Sequence, residues 1–473
     1  MRNHALVGLC SEAKPCPRLQ PGQCRRLNWA VRNLPLFGCR HMTPPRRHRV
    51  LTVLLDVPVP PVTGLHLRQV ANLRLIRALG CESHAFVFST ADRSDIQSLA
   101  SLCDGVVDAG PRHEYENIPV TQRIALRAGM ALGALCGRPS AVYPFSIPYD
   151  LAGARAKLVE AVGETRIDVV VLPTSLLHLA PAIAQQGVSV IGDAVDVLSQ
   201  LTRKLLSYGR GSPARIPGLL VNHAASRTQE RLFLPACDEI WATTSTEALE
   251  FRRLLPSARV FVTGNTIDEH EVEPLNTRVV GPVGFIGTYS SRPNLDAATY
   301  LVDRVFPPLR AARPQTRLAL AGAGLPTDLA KRFRSIPGVE VLGPVPDSAA
   351  FLRSCSVLAF PIHVRGGLPL KLVEGFACGR PVVGTSRLID GLPVRPGEDL
   401  LVADEPEAFA DHVRRILEDH HLAVRLGHNG RRVFETEFSF GASLKRARSE
   451  SLLGRDPSPE PGEQPRPYSG GGS

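Results

Sequence analysis

The chain of 473 residues, 44% hydrophobic and 21% charged, is too long for one compact core and calls for two or three domains. No run of about 20 apolar residues is present, so no bilayer-spanning helix is expected; the best candidate, Ala128–Cys136, soon meets Arg138. The net charge of +10 invites a nucleic-acid reading, but residues 1–50 hold ten Lys/Arg against a single acid, Glu12, so the excess belongs to a leader and not to a folded surface.

Residues 1–48 carry no sustained periodicity and lack the apolar core and cleavage site of a signal peptide. This basic leader is expected to be disordered, or untranslated if synthesis starts at Met42; a transit peptide or a lipid-contacting arm is the other reading. The ten cysteines show no CxxC pair and no metal-ligand spacing, which points to free thiols in a reducing cytoplasm.

Val50–Asp56 is an apolar run that predicts a buried parallel strand. A loop to Gly64, a helix over Leu65–Leu79 closed by Gly80, and a strand at Ala85–Phe88 complete a βαβ unit. Its right-handed crossover implies a doubly wound α/β sheet. Gly64 then falls at the C-terminal edge of the first strand, where open α/β sheets bind ligands, and Arg68 follows one turn into the helix. Further strands are predicted at Val106–Val107, Asp168–Leu172, Val188–Ile191 and Glu239–Ala242. Helices are predicted around Thr121–Ala134, Leu151–Val162, Leu177–Gln186, His223–Leu234 and Ser245–Leu255. Two strand ends carry polar groups at the ligand edge: Thr174, Ser175 and His178 after one, Asp193, Asp196 and Ser199 after the next. Ser175 and Ser199 fit helix capping.

The alternation restarts at Val283–Ile286, a strand followed by Gly287, the loop Thr288–Asn294 and a helix from Leu295 to Phe306. Strands follow at Leu318–Ala321, Val339–Leu342 and Val357–Phe360, with a short helix over Asp347–Arg353. Gly322 and Gly324 read as a βα turn, because a dinucleotide fingerprint would need a third glycine where Thr327 stands. Amphipathic helices are expected at Pro406–Leu417 and His421–Phe434, and the Pro/Gly/Ser-rich residues 455–473 as a disordered tail.

Gly366–Val383, GGLPLKLVEGFACGRPVV, is the stretch around which the rest is organised. Gly366, Gly367, Leu368 and Pro369 form a loop opening onto a helix on which Lys371 and Glu374 share a face. A helix N-terminus attracts phosphate, and glycines let the backbone approach it. Lys371 adds a point charge, and Glu374 can accept hydrogen bonds from sugar hydroxyls. A surface helix with an ion pair accounts for the same residues when they are taken alone.

Context comes from a family. Glu374-Gly-Phe-Ala-Cys-Gly-Arg-Pro-Val-Val383 resembles the Glu-Ala-Met-Ala-x-Gly-x-Pro-Val-Val signature of the GT-B glycosyltransferases of family GT4, glycosyl transferases group 1. Pro60-Pro61-x-x-Gly64 with Arg68 is similar to its N-terminal glycine loop, and VFVTGNTID at 260–268 to its Pro-Asn-Gly-Val-Asp element. Arg292-Pro-Asn294-Leu-Asp resembles a subgroup of exopolysaccharide-associated transferases. The resemblance implies a GT-B architecture of two Rossmann-like domains facing a cleft. An acceptor domain would span 49–270, a nucleotide-sugar domain 281–437 and a crossover helix 438–454.

The resemblance also implies retaining transfer from a nucleotide-diphosphate-sugar to a glycan or lipid-linked acceptor. No bound metal or other cofactor would take part, and the chain would work in the cytoplasm or at the inner face of the membrane. Lys371, Arg292, Asp196 and Asp193 become candidate catalytic groups. Glu374, Gly366, Gly367, Leu368, Gly287, Asn294 and Gly64 become donor contacts, and Arg68 and His178 fall in the acceptor region. Two positions depart from the family. Gly366 stands eight residues before Glu374, where relatives carry a first Glu, with His363 and Arg365 nearby; Asp193 and Asp196 stand where relatives often place a histidine. The first departure keeps open a non-catalytic nucleotide-sugar-binding protein. A GT-B epimerase or phosphorylase is a further alternative, and a nucleic-acid binder rests on the leader alone.

Overall fold

The computed structural model describes residues 48–59, 64–88, 93–109, 121, 151–194, 197–208, 216–274, 280–364 and 367–455. Two all-parallel sheets organise them. The first contains β1 (Arg49–Leu54), β2 (Glu82–Val87), β3 (Gly105–Asp108), β4 (Val169–Pro173), β5 (Ser189–Asp193), β6 (Glu239–Ala242) and β7 (Arg259–Val262), in the order 3-2-1-4-5-6-7. The second contains β8 (Val283–Ile286), β9 (Leu318–Ala321), β10 (Val339–Gly343), β11 (Val357–Phe360), β12 (Val382–Gly384) and β13 (Leu401–Val402), in the order 10-9-8-11-12-13. Renumbered from its own first strand, the second sheet repeats the order 3-2-1-4-5-6. In each, the chain reverses direction of travel beside the first strand: β1 pairs with both β2 and β4, and β8 with both β9 and β11. Such reversal points open a crevice at the C-terminal ends of the strands.

The inner strands are short and buried on both faces, as parallel sheets covered by helices require, whereas the edge strands β3 and β10 are mostly half-buried. Phe285, Phe306, Phe360, Phe376, Phe409 and Leu426 belong to the core of the second sheet. The first sheet has separate cores on its two faces, one around Leu51, Phe86, Val170 and Ile240. The other joins Val50, Trp241 and Phe261 to Ala447 and Leu453, residues from the far end of the chain. The helices needed below are α1 (Gly64–Ala78), α2 (Ile216–Phe233), α3 (Ser245–Leu254), α4 (Arg292–Tyr300), α5 (Leu370–Ala377), α6 (Pro406–Glu418), α7 (His420–Val433) and α8 (Phe440–Glu450). After serving the second sheet the chain comes back with α8. Phe440 N donates to Ile267 O at 3.0 Å and Ser443 Oγ to Thr263 O at 2.8 Å.

Two expected helices take another form. The one expected over Leu177–Gln186 opens as a 3-10 turn, Thr174–Leu179, and is α-helical only over Ala180–Ala184. The one expected over Leu295–Phe306 starts earlier, at Arg292, and passes through a π turn, Leu301–Val305, before Phe306–Ala312. Pro307 and Pro308 lie just beyond that turn and have no N–H to give the preceding one, so the ladder loses its α register there. Short helices at Arg93–Leu99, Leu198–Tyr208 and Thr327–Arg334 were not anticipated. The helix expected at Thr121–Ala134 lies outside the described residues after Thr121, as do the leader up to Arg47 and the tail beyond Arg455. No helix among the described residues is long and apolar enough to cross a membrane.

Candidate functional site

β8 ends at Ile286 and Gly287 follows. Its N–H donates to Ala321 O at 3.2 Å. A Cβ on Gly287 would lie 3.0 Å from Asn294 Cγ, so the missing side chain is the space that the Asn294 amide occupies. Asn294, in the first turn of α4, donates Nδ2 to Thr288 O at 2.9 Å and accepts through Oδ1 from Lys371 Nζ. The lysine is thereby tied to the opposite side of the reversal point.

Lys371 lies in the first turn of α5. Pro369 O accepts from Leu372 N and Val373 N to start the helix. Leu372, Val373, Phe376 and Ala377 are all fully buried, each large one contributing about 1.5–3 kcal/mol, which fixes the helix face that carries Lys371 and Glu374. Lys371 Nζ stands 5.4 Å from the centre of the Phe285 ring, a favourable cation–π arrangement. Burial draws the ammonium down to about 8, opposed by the charge of Glu374. Burial likewise pushes Glu374 up to about 7, opposed by Lys371. Among the described residues, no hydrogen bond reaches the Glu374 carboxylate. The pair is a half-buried cation and anion with unused hydrogen-bonding capacity, an arrangement typical of a binding site.

The matching edge of the first sheet is differently built. Arg68, in α1, is fully buried. Its Nε and Nη2 donate to Asp193 Oδ1, Nη1 to Gly264 O at 2.8 Å and to Asn265 Oδ1 at 3.0 Å, and Nη2 also to Trp241 O at 3.2 Å. Asn72 Nδ2 donates to Asp193 Oδ2 at 3.1 Å. All five guanidinium protons are used inside the protein, and Asp193 is 5% exposed. This corrects two expectations. Arg68 is an interior clamp joining α1, β5, β6 and the segment after β7, with no donor left for an acceptor, and Asp193 is its buried counter-ion.

The remaining candidates divide further. His178 is half-buried, edge-on to Phe233 of α2, and desolvation pulls it down to about 4, so it is neutral at pH 7. Arg292 is exposed and pairs with Asp296 on its own helix at 2.8 Å. Leu368 packs its side chain in the second core, which leaves its backbone as the part that could face a ligand. Gly287 spends its N–H on Ala321, and Asn294 spends its amide on Thr288 and Lys371, so both act here through Lys371. Gly367 has φ +59°, the left-handed region that glycine tolerates. Gly366 and Asp196 lie outside the described residues. Gly64 opens α1, and a Cβ on it would meet Leu370 Cδ1 at 2.8 Å: the first helix of one sheet abuts the site helix of the other. Three participants escaped the sequence reading. Phe285 looked like any strand phenylalanine and Asn72 like any helix polar residue, while the contact of Leu370 with Gly64 has no local signature. Among the described residues no group of three or more His, Cys, Asp or Glu has the geometry of a metal site.

Two Rossmann-like sheets of this order, meeting at their ligand edges through Gly64 and Leu370, define the GT-B class. Solved structures agree. HepE from Anabaena, in a complex with UDP, aligns over 84% of this chain and 97% of its own at 15% identity, with a TM-score of 0.55. Sucrose-phosphate synthase from Thermosynechococcus elongatus aligns over 84% and 97% at 16% identity, with a TM-score of 0.58. At these identities the likeness is one of fold. Within that class, residues 282–419 match the family described as Glycosyl transferases group 1. The capsular polysaccharide biosynthesis glycosyltransferase CapM of Staphylococcus aureus is 30% identical over 105 residues, 22% of this chain and 27% of CapM, so the alignment spans about a quarter of that relative.

Proposed function

We propose that the protein transfers a sugar from a nucleotide-diphosphate-sugar to a glycan or lipid-linked acceptor, with retention at the transferred carbon and without a bound metal. The observation that carries this reading is Lys371, held by Asn294 over Phe285 and beside the unpaired Glu374, at the reversal point of a group 1 domain. When the bond from sugar to diphosphate breaks, negative charge grows on the leaving oxygen. Preorganised cations and helix N-termini stabilise that charge. Lys371 and the first turns of α4 and α5 supply both at one place. Arg292 reaches the diphosphate only by leaving Asp296, a small cost for an exposed i,i+4 pair. Glu374 accepts hydrogen bonds from ribose hydroxyls, and Gly64 brings α1 against the site when the halves close. That HepE, of the same fold, is found with UDP supports a nucleoside diphosphate as the leaving group.

The test is thermal stabilisation by a panel of nucleoside diphosphates and their sugars in EDTA, on wild type and Lys371→Ala, followed by transfer to glycan acceptors. A ligand that binds the native state raises its melting temperature by mass action. A metal-independent shift with one nucleotide class, absent in Lys371→Ala, is the expected result; equal shifts in both proteins, or none, refute the site. Gly366 in place of a carboxylate favours one second reading, a protein that binds the donor without turning it over. Donor binding with neither transfer nor hydrolysis would establish it.

A further inference from the structure

We propose that the outer face of α2 is a docking surface for a membrane that bears anionic phospholipids. Along this helix the side chains are placed in the reverse of the order that water selects. Ser226, Gln229, Glu230 and Phe233 recur at helical spacing on one face and are buried. The polar groups of that face are spent inside the protein. Gln229 Nε2 donates to Thr174 O at 2.7 Å, Glu230 Oε1 accepts from Ser199 N at 2.9 Å, and His223 Nδ1 donates to Ser199 O at 2.9 Å. The other face carries Pro217, Leu220, Val221 and Ala224, again at helical spacing, and is wholly apolar. No residue from Ile216 to Ala224 is buried, and Leu220 is 54% exposed. One exposed leucine is ordinary; a contiguous apolar stripe left in water marks an interaction surface.

Charge selects the occupant. From Val197 to Gln229 the sequence holds five Lys/Arg and no Asp or Glu, whereas the rest of residues 51–473 carries a net negative charge. Arg227, one turn beyond Ala224 on the face of the stripe, is exposed; the acid whose charge it feels, Glu230, is buried on the inward face. Arg203 is exposed on the helix Leu198–Tyr208, next to Thr202, whose hydroxyl lies 3.0 Å from His223 Nδ1. An anionic bilayer meets both features, its acyl boundary taking the apolar stripe and its headgroups the guanidinium groups. Nucleic acid would engage the charges and leave the stripe in water. A second copy is disfavoured by size, because four side chains fall well short of the roughly 800 Å² per partner of a stable interface. Gln200, Leu201 and Lys204, on the helix packed against α2, line a cavity shared with Gly367, so a docked α2 would hold the opening by the Lys371 loop near the bilayer. That this delivers a lipid-linked acceptor rests on the transfer proposed above; the membrane contact itself does not.

Co-sedimentation of the full chain with phosphatidylcholine vesicles containing phosphatidylglycerol, against phosphatidylcholine alone, tests the proposal. Wild type should bind the anionic vesicles, and Leu220→Asn/Val221→Asn should weaken that binding at least tenfold. Arg203→Gln/Arg227→Gln should weaken it severalfold on anionic vesicles. No binding by wild type, or equal binding by wild type and Leu220→Asn/Val221→Asn, as the basic leader alone would give, overturns the surface. A wild-type dimer in sedimentation velocity that Leu220→Asn/Val221→Asn dissociates overturns it too, because a second copy then covers the stripe. Leu220→Trp, at an exposed position, reports insertion even if the asparagines disturb folding. Its emission should be quenched by brominated phosphatidylcholine in the anionic vesicles beyond the quenching seen in wild type, whose own tryptophans are Trp29 and Trp241. No added quenching places the stripe outside the bilayer and overturns the proposal. Lys371→Ala should bind vesicles as wild type does, so a failure of the donor site and a failure of this surface are read separately.

Discussion

The two sheets share a strand order and a reversal point, and each brings a cation from a helix to its ligand edge, yet the two cations have opposite fates. Arg68 makes five hydrogen bonds to four acceptor atoms and is sealed in. Lys371 has one amide and one ring, and its carboxylate neighbour has no protein donor. Arg68 rides the helix after the first strand of its sheet and Lys371 the helix after the fourth strand of the other, so a cation brought to the ligand edge does not by itself define a site. What separates structure from site is whether hydrogen-bonding capacity is spent within the protein.

The comparison can be broken at its strongest point by Arg68→Ala. Removing one partner of a buried, hydrogen-bonded pair costs about 3–5 kcal/mol, because Asp193 and the carbonyls of Gly264 and Trp241 lose their donor. Urea denaturation should show that loss, and a change under 1 kcal/mol would mean that the clamp is dispensable. Lys371→Ala should do the reverse: stability close to wild type, with transfer reduced at least 100-fold, the scale set by removing one charge-stabilising group. Equal losses of stability in the two variants would erase the distinction.

The pH dependence sharpens it. Lys371 is charged below about 8 and Glu374 above about 7, so donor affinity should be greatest between those values and fall on both sides. Titration calorimetry across pH 5.5–9.5 would show this, and Glu374→Gln should abolish the acid limb alone. Stability of the unliganded protein follows the opposite sense. The folded state holds the Glu374 proton to higher pH than the unfolded chain does, so this group's contribution declines as pH rises towards about 7. The Lys371 contribution recovers above about 8, where the folded state sheds its proton before the unfolded one.

The smallest effect is expected at Gly64. Gly64→Ala places a methyl against the flexible tip of Leu370, so stability should change by less than about 1 kcal/mol. Turnover should fall severalfold if the two helices must close, and Leu370→Ala should restore it. No rescue by Leu370→Ala would remove Gly64 from the closing surface.

Much of this was legible in the sequence for physical reasons. Strands such as Val283–Ile286 and Val357–Phe360 are short apolar runs buried on both faces, and the βα alternation fixes their parallel order. Lys371 and Glu374 could be found because a glycine loop, a helix start and a polar pair at helical spacing coincide within nine residues. Arg68 was misread because a buried arginine is announced by its acceptors, and Asp193, Trp241 and Gly264 lie 125 to 196 residues away in the chain. Phe285 was invisible because its place beneath the lysine depends on which face of β8 meets α5, a tertiary fact with no local pattern.

The return of the chain through α8 has one more consequence. Ala447 and Leu453 pack with Val50, Trp241 and Phe261. The buried Glu239 on β6 accepts from Trp241 Nε1, Ser451 Oγ and Leu452 N. In its connectivity the second sheet is thus an insertion between two parts of the first. A library that recombines proteins of this fold by a single splice near residue 275 would give each chimera a first half whose last layer belongs to the other parent. Modules from this chain should be exchanged as residues 282–438, with both crossings kept from one parent.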